Sequence, residues 1–177
     1  MEWANSALDS VRLDEYRKLK ESIPKEKRNK GRPRKDDKEH LEKKDRQNKA
    51  DMIKGSSFAV GKAPENLTQR QKETLNTIKA MTPRYYRAYD MKEALRLILK
   101  MTDYESAKVA LRKWRWRASH SRLDSFKELA SKIKRNEEFI LNTIKYGFSN
   151  ARIEATNNKI KLIIRRSYGF KNINNIF

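Results

Sequence analysis

The chain contains no cysteine, which excludes disulfides and thiolate chemistry. Its only histidines, His40 and His120, stand far apart with no second histidine at a metal-binding spacing, so a zinc site is not expected and both read as surface or interface residues. The longest run without a charge is the seven residues Gly55 to Gly61, far short of the ~20 apolar residues that cross a bilayer. No signal peptide opens the sequence either, and membrane insertion is not expected. Apolar residues make up 37% of the chain, below the ~45–50% usual for globular domains when glycine is counted, so one segment is expected not to pack. No stretch alternates apolar and polar residues long enough to make a half-buried strand, and the apolar runs LRLIL and IKLII sit inside helical patterns.

What is abundant is positive charge. There are 43 Lys and Arg against 23 Asp and Glu in 177 residues, a net charge of +20. A chain this basic expects a polyanion. Nucleic acid comes first, because neutralising phosphates releases condensed counterions, and an anionic membrane surface is the competitor. With nucleic acid as the partner, a cytoplasmic location is expected.

The sequence reads as all-α in four parts. Residues 1–24 hold a helix over 2–20, with Trp3, Ala7 or Leu8, Val11 and Leu19 at near-helical intervals and Tyr16 beside them. Residues 25–62 form a charged insertion. From Lys25 to Lys54 there are 13 basic and 7 acidic residues with only Leu41, Ala50, Met52 and Ile53 apolar, a composition expected to be flexible or loosely helical. Residues 63–148 form a helical domain with helices near 68–80, 83–100, 103–119 and 122–146. The first and third open on capping boxes, Thr68-x-x-Gln71 and Thr102-x-x-Glu105, and the second on Thr82 followed by Pro83. In the fourth, Phe126, Leu129, Ile133, Ile140 and Ile144 keep the helical period. Residues 149–177 hold a last helix near 150–167, for which Gly169 suits a left-handed cap with Phe170 folding back.

Three segments carry candidate chemistry. The stretch KGRPRK, Lys30 to Lys35, resembles an AT-hook. Proline keeps Arg32 extended for the A·T minor groove, and Lys30, Arg34 and Lys35 can meet phosphates. A basic solvated loop with generic phosphate affinity accounts for the same residues. The second segment, around ALRKWRWRASHSR, lies in a region from Ala107 to Arg135 with 10 basic and 2 acidic residues. Trp114 and Trp116, interleaved with arginines, can stack on unpaired bases, but residues two apart on a helix point in different directions, so at least one is expected in the core. Arg112, Lys113, Arg115 and Arg117 then give a basic outer face that tracks the DNA backbone.

The third is the C-terminal segment, where the single acid Glu154 stands among Arg152, Lys159, Lys161, Arg165, Arg166 and Lys171. A helix from Asn150 places Ile153, Ile160 and Ile164, with Ile163 beside them, on an inward face. It places Glu154, Asn158, Lys161 and Arg165 on a polar one. Taken alone, Glu154 is explained by the helix macrodipole, which favours an acid in the first turn.

The pattern SNARIEATNNKIKLIIRRSYGFKNINNIF, with WANSALDSVR, PENLTQRQKETL, AYDMKEALRLIL and SRLDSFKELASKIKRNEEFIL in order before it, resembles the DDE transposases of bacterial insertion sequences, ISL3 group. The resemblance covers most of the chain outside the charged insertion. It implies that Glu154 matches the final acid of an Asp-Asp-Glu triad, which in a ribonuclease-H-like fold holds two Mg²⁺ ions for in-line displacement at phosphorus. Arg152, Asn158, Lys161 and Arg165 would hold DNA beside it.

The resemblance also implies that the two aspartates and the β-sheet that bears them lie upstream of the part matched here. Asp9, Asp90, Asp103 and Asp124 follow no strand-like run and read as helix-surface or capping residues. The expectation is therefore an all-α transposase fragment with the sheet core missing. It would bind DNA, hold Mg²⁺ too weakly to cut alone, and associate with full-length transposase or with itself. A non-catalytic DNA-binding module or an inhibitor of the full enzyme is the alternative.

Overall fold

The computed structural model describes residues 1–23, 38–147 and 150–166. All regular structure among them is helical, in the order α1 (Glu2–Glu21), α2 (Lys38–Gly55), α3 (Ser57–Gly61), a 3₁₀ turn at Pro64–Asn66, α4 (Gln69–Met81), α5 (Pro83–Leu99), α6 (Tyr104–Ser119), α7 (Asp124–Arg135), α8 (Glu137–Tyr146) and α9 (Asn150–Arg166).

Helix α5 is central. It buries Tyr85, Ala88, Tyr89, Met91, Leu95 and Ile98, residues that do not share one narrow stripe, and α1, α4 and α6 all pack on it. Around it α1 also rests on α2 and α7, while α6 contacts α7 and α8. Trp114 is the buried tryptophan of the pair on α6. Its Nε1 donates to the Met91 carbonyl of α5 at 2.8 Å, which fixes the rotation of α6 and turns Trp116 outward.

Helix boundaries follow local chemistry. Thr68 and Gln71 form the reciprocal capping box that the sequence predicts. Thr82 precedes Pro83 at the start of α5 as expected, but its hydroxyl donates back to the Ile78 carbonyl at 3.1 Å instead of capping. At α6 the cap is one residue later than predicted: Asp103, not Thr102, accepts from the Ser106 N–H at 2.7 Å. The single helix expected over 122–146 is two helices broken at Asn136, whose side chain donates to the Lys132 carbonyl at 2.8 Å. The break lets Leu141 and Ile144 reach the core independently of Phe126, Leu129 and Ile133, while Ile140 is half-buried. Gly147, with φ of 61°, ends α8 in the left-handed region where a side chain would be strained.

The charged stretch is a regular helix over its described part, α2, where composition pointed to a flexible or loosely helical segment. Ala50 and Ile53 are fully buried, and α1 covers that side. A buried hydroxyl relay, Ser56 to the Ile53 carbonyl at 2.7 Å and Ser56 with the Tyr85 hydroxyl at 2.9 Å, ties the end of α2 to α5. Trp3, expected on the packed face of α1, is 44% exposed and lies under Lys132, whose Nζ sits 4.8 Å from the ring centroid. Ala4 takes the inward place.

Buried charge on α5 holds the end of α3. Lys92 is 1% exposed and its Nζ donates to the Val60 carbonyl at 2.7 Å, supplying the end of α3 with a cap that its own sequence lacks. Lys92 also pairs with Glu93, whose Oε2 accepts from Arg96 Nε at 2.6 Å. Glu93 Oε1 has no directed hydrogen bond, so its compensation is the charge of Lys92. Arg96 reaches on to Glu65 in a bidentate pair at 2.8 and 3.0 Å, and Lys100 joins it at 3.1 Å. These donors, Arg96 first, hold the Glu65 carboxyl down to about 2.

Candidate functional site

The predicted site residues fall into three places. Lys30, Arg32, Arg34 and Lys35 of the AT-hook-like stretch lie outside the described residues, as do the Gly169 cap with Phe170 and the side chain of Arg152.

On α9, Glu154, Asn158, Lys161 and Arg165 are all exposed and share one face by helical spacing. Glu154 has no ion pair among the described side chains. It stands in the second turn of the helix, since the first turn contains no acid, and the macrodipole acts chiefly within the first turn. The inward packing expected of the isoleucines is not what the structure has. Ile160 and Ile163 are 49% and 52% exposed, with Leu162 at 49%. Ile164 is half-buried and the Ile153 side chain lies outside the described residues.

The third place is the outer side of α6. Arg112 and Lys113 are exposed and without an ion pair among the described residues. Arg115 is paired with Glu137 and Arg117 with Asp90, so these two guanidinium groups brace α6 against α8 and α5 before they meet anything else. The groove between α6 and α7 is lined by Arg112, Arg115, Trp116, Ser119, Ser131 and Lys134. Trp116 is 66% exposed, and the His120 ring stacks on it at 4.6 Å with an interplanar angle of 28°. Lys134 was not picked out by the sequence as a ligand-facing group, whereas Trp116 is one of the two tryptophans that the sequence offered for stacking on unpaired bases. The four-residue spacing of Trp116 and His120 was the available signal for their stack, since residues so placed meet on a helix surface.

The four aspartates take the structural roles read from the sequence. Asp9 pairs with Arg12 and Asp90 with Arg117, Asp103 caps α6, and Asp124 in the first turn of α7 pairs with Lys127. Asp103 and Asp124 are both held below the usual carboxylate range, chiefly by Ser106 and Lys127 respectively. Among the described residues no three His, Asp or Glu side chains converge on one point. Magnesium needs several oxygen ligands placed together, so the described residues do not by themselves fit the ion. Nor is any helix among them long and apolar enough to cross a membrane.

A family model described as "Transposase", of the ISL3 group of DDE transposases, matches residues 1–177. Curated proteins named "Transposase for insertion sequence element IS1557", from Mycobacterium tuberculosis strains CDC 1551 and H37Rv, are each 37% identical over 172 residues. The match covers 96% of this chain but 37% of theirs, so the chain spans well under half the length of these relatives. No solved structure matches it significantly. With the family model spanning every residue and the all-helical architecture in agreement, the chain belongs to the ISL3 group of DDE transposases.

Proposed function

We propose that this chain is the helical, DNA-binding part of a transposase active in DNA transposition, and that it supplies one acid, Glu154, to a catalytic centre whose other ligands lie outside it. The observation that carries this reading is Glu154 itself, an exposed carboxylate heading a stripe of amide and cationic groups on one face of α9. Asn158, Lys161 and Arg165 below it, with Arg112 and Lys113 on α6, grip the phosphate backbone and hold DNA against that acid. The chain works on the nucleoid with DNA as its partner, and by itself it is catalytically incomplete.

Incubating this chain with DNA carrying an insertion-sequence end, with and without Mg²⁺, tests both halves. Salt-sensitive binding without strand cleavage is expected. Efficient Mg²⁺-dependent cleavage by this chain alone would end the claim of incompleteness, and absence of binding at low salt would end the claim of a DNA-binding surface. A second reading, a regulatory chain that joins an intact transposase or a second copy of itself, is favoured by the exposed Ile160 and Leu162 on α9. Failure to co-purify with an intact transposase and a monomeric mass in solution would remove it.

A further inference from the structure

Trp116 is a large apolar side chain left in water at the centre of a basic groove. Singly exposed aromatics are common and need no explanation. Three features separate this one. Its indole is pre-stacked, because His120 covers one face at 4.6 Å and His120 Nδ1 lies 2.8 Å from the Trp116 carbonyl, which anchors the imidazole to its own helix. With one face covered, the exposure belongs to the opposite face and the ring edge. Next, two of the three cations that line the groove are not consumed: Arg112 and Lys134 have no ion pair among the described residues, while Arg115 is held by Glu137. Finally, no carboxylate lines the groove, and the two acids that reach α6 from other helices are already neutralised, Glu137 by Arg115 and Asp90 by Arg117.

We infer that the Trp116–His120 stack is a platform for one unpaired DNA base, with Arg112 and Lys134 holding the phosphates that flank it. A base inside a duplex has both faces covered by its neighbours, whereas an unpaired or flipped base offers a free face that an indole can take. The ring fixes no hydrogen-bond pattern, so the platform accepts any base. Its selectivity is for unpaired against paired DNA. This inference rests on the proposed DNA-binding role and adds a distinct ligand chemistry to it.

The test is fluorescence anisotropy of the full chain with fluorescein-labelled oligothymidine and with a blunt duplex of equal length at one salt concentration. Trp116→Ala is expected to weaken single-strand binding about tenfold while duplex binding stays within about twofold, and Trp116→Phe to retain most of the single-strand affinity. Arg112→Ala is expected to weaken both forms, since phosphates are common to them. Far-UV circular dichroism of Trp116→Ala should match the parent, because the side chain is outside the core. Unchanged single-strand binding in Trp116→Ala, or equal losses on both DNA forms, would overturn the platform and leave the DNA-binding role standing. No binding of either form by the parent chain would overturn both.

Discussion

Replacing Lys92 by methionine removes one charge from the best-buried ion pair among the described residues while keeping the aliphatic stem. The ammonium is withdrawn from solvent, donates to the Val60 carbonyl at 2.7 Å, pairs with Glu93 and lies 5.1 Å from the centroid of the Tyr89 ring. Deleting one partner of such a pair costs about 3–5 kcal/mol, because the other charge is left desolvated. Here Arg96 still reaches Glu93 at 2.6 Å, so the lower end applies, about 3 kcal/mol. For a chain of this size that corresponds to a fall in Tm of roughly 6–12 °C. The assay is thermal and urea unfolding followed by circular dichroism at the helical band. Arg70→Met serves as control, an exposed arginine on α4 expected to change stability by less than about 0.5 kcal/mol. A Lys92→Met protein within about 1 kcal/mol of the parent would mean that solvent reaches the pair and that α3 is not held by it.

Other outcomes follow from the same structure. Asp103→Ala removes the side-chain acceptor at the start of α6 and should cost about 1 kcal/mol, measured by the same unfolding assay. Burial pushes the Tyr85 and Tyr89 hydroxyls up to about 12 from the ordinary 10.0, so in the folded state both stay protonated where the unfolded chain has ionised. Stability should therefore fall as pH rises between about 10 and 12, and the fall should shrink in Tyr85→Phe. If Arg112, Lys113, Lys134, Lys161 and Arg165 all meet phosphates, the logarithm of the DNA binding constant should fall against log salt with a slope near −4.5. Arg112→Ala should flatten that slope by about one, and a slope near zero would exclude the electrostatic mode.

Helical class was readable from the chain because apolar residues recur at the helical period and nothing alternates, and the family signature was readable because its segments occur in order. Boundaries were less so. Thr102 and Asp103 are both good caps, and in the structure it is Asp103 that accepts from the Ser106 N–H. The break at Asn136 was hidden by a periodic run that continues through it, since the apolar spacing of α7 and α8 stays nearly in phase. Lys92 and Glu93 look like surface charges in sequence, and their burial comes from the joint that α3 lays over α5, a contact no local pattern encodes. For the site, the basic face of α6 was visible as composition. The division of labour within it was not: Arg115 and Arg117 find acids on other helices, leaving Arg112 and Lys113 as the available cations. That Trp114 and not Trp116 is buried depends on the Met91 carbonyl, which is distant in the chain.

The role of Glu154 is tested most directly by a chimera in which this chain replaces the matching part of a full-length ISL3-group transposase, compared with the same chimera carrying Glu154→Gln. Strand cleavage at an insertion-sequence end and binding to that end would be measured side by side. Loss of cleavage to background with binding within about twofold of the parent is the predicted result, since the amide keeps the shape of the side chain and removes only its charge. Cleavage that survives Glu154→Gln would contradict it, and would make Glu154 an ordinary surface acid on a DNA-binding helix.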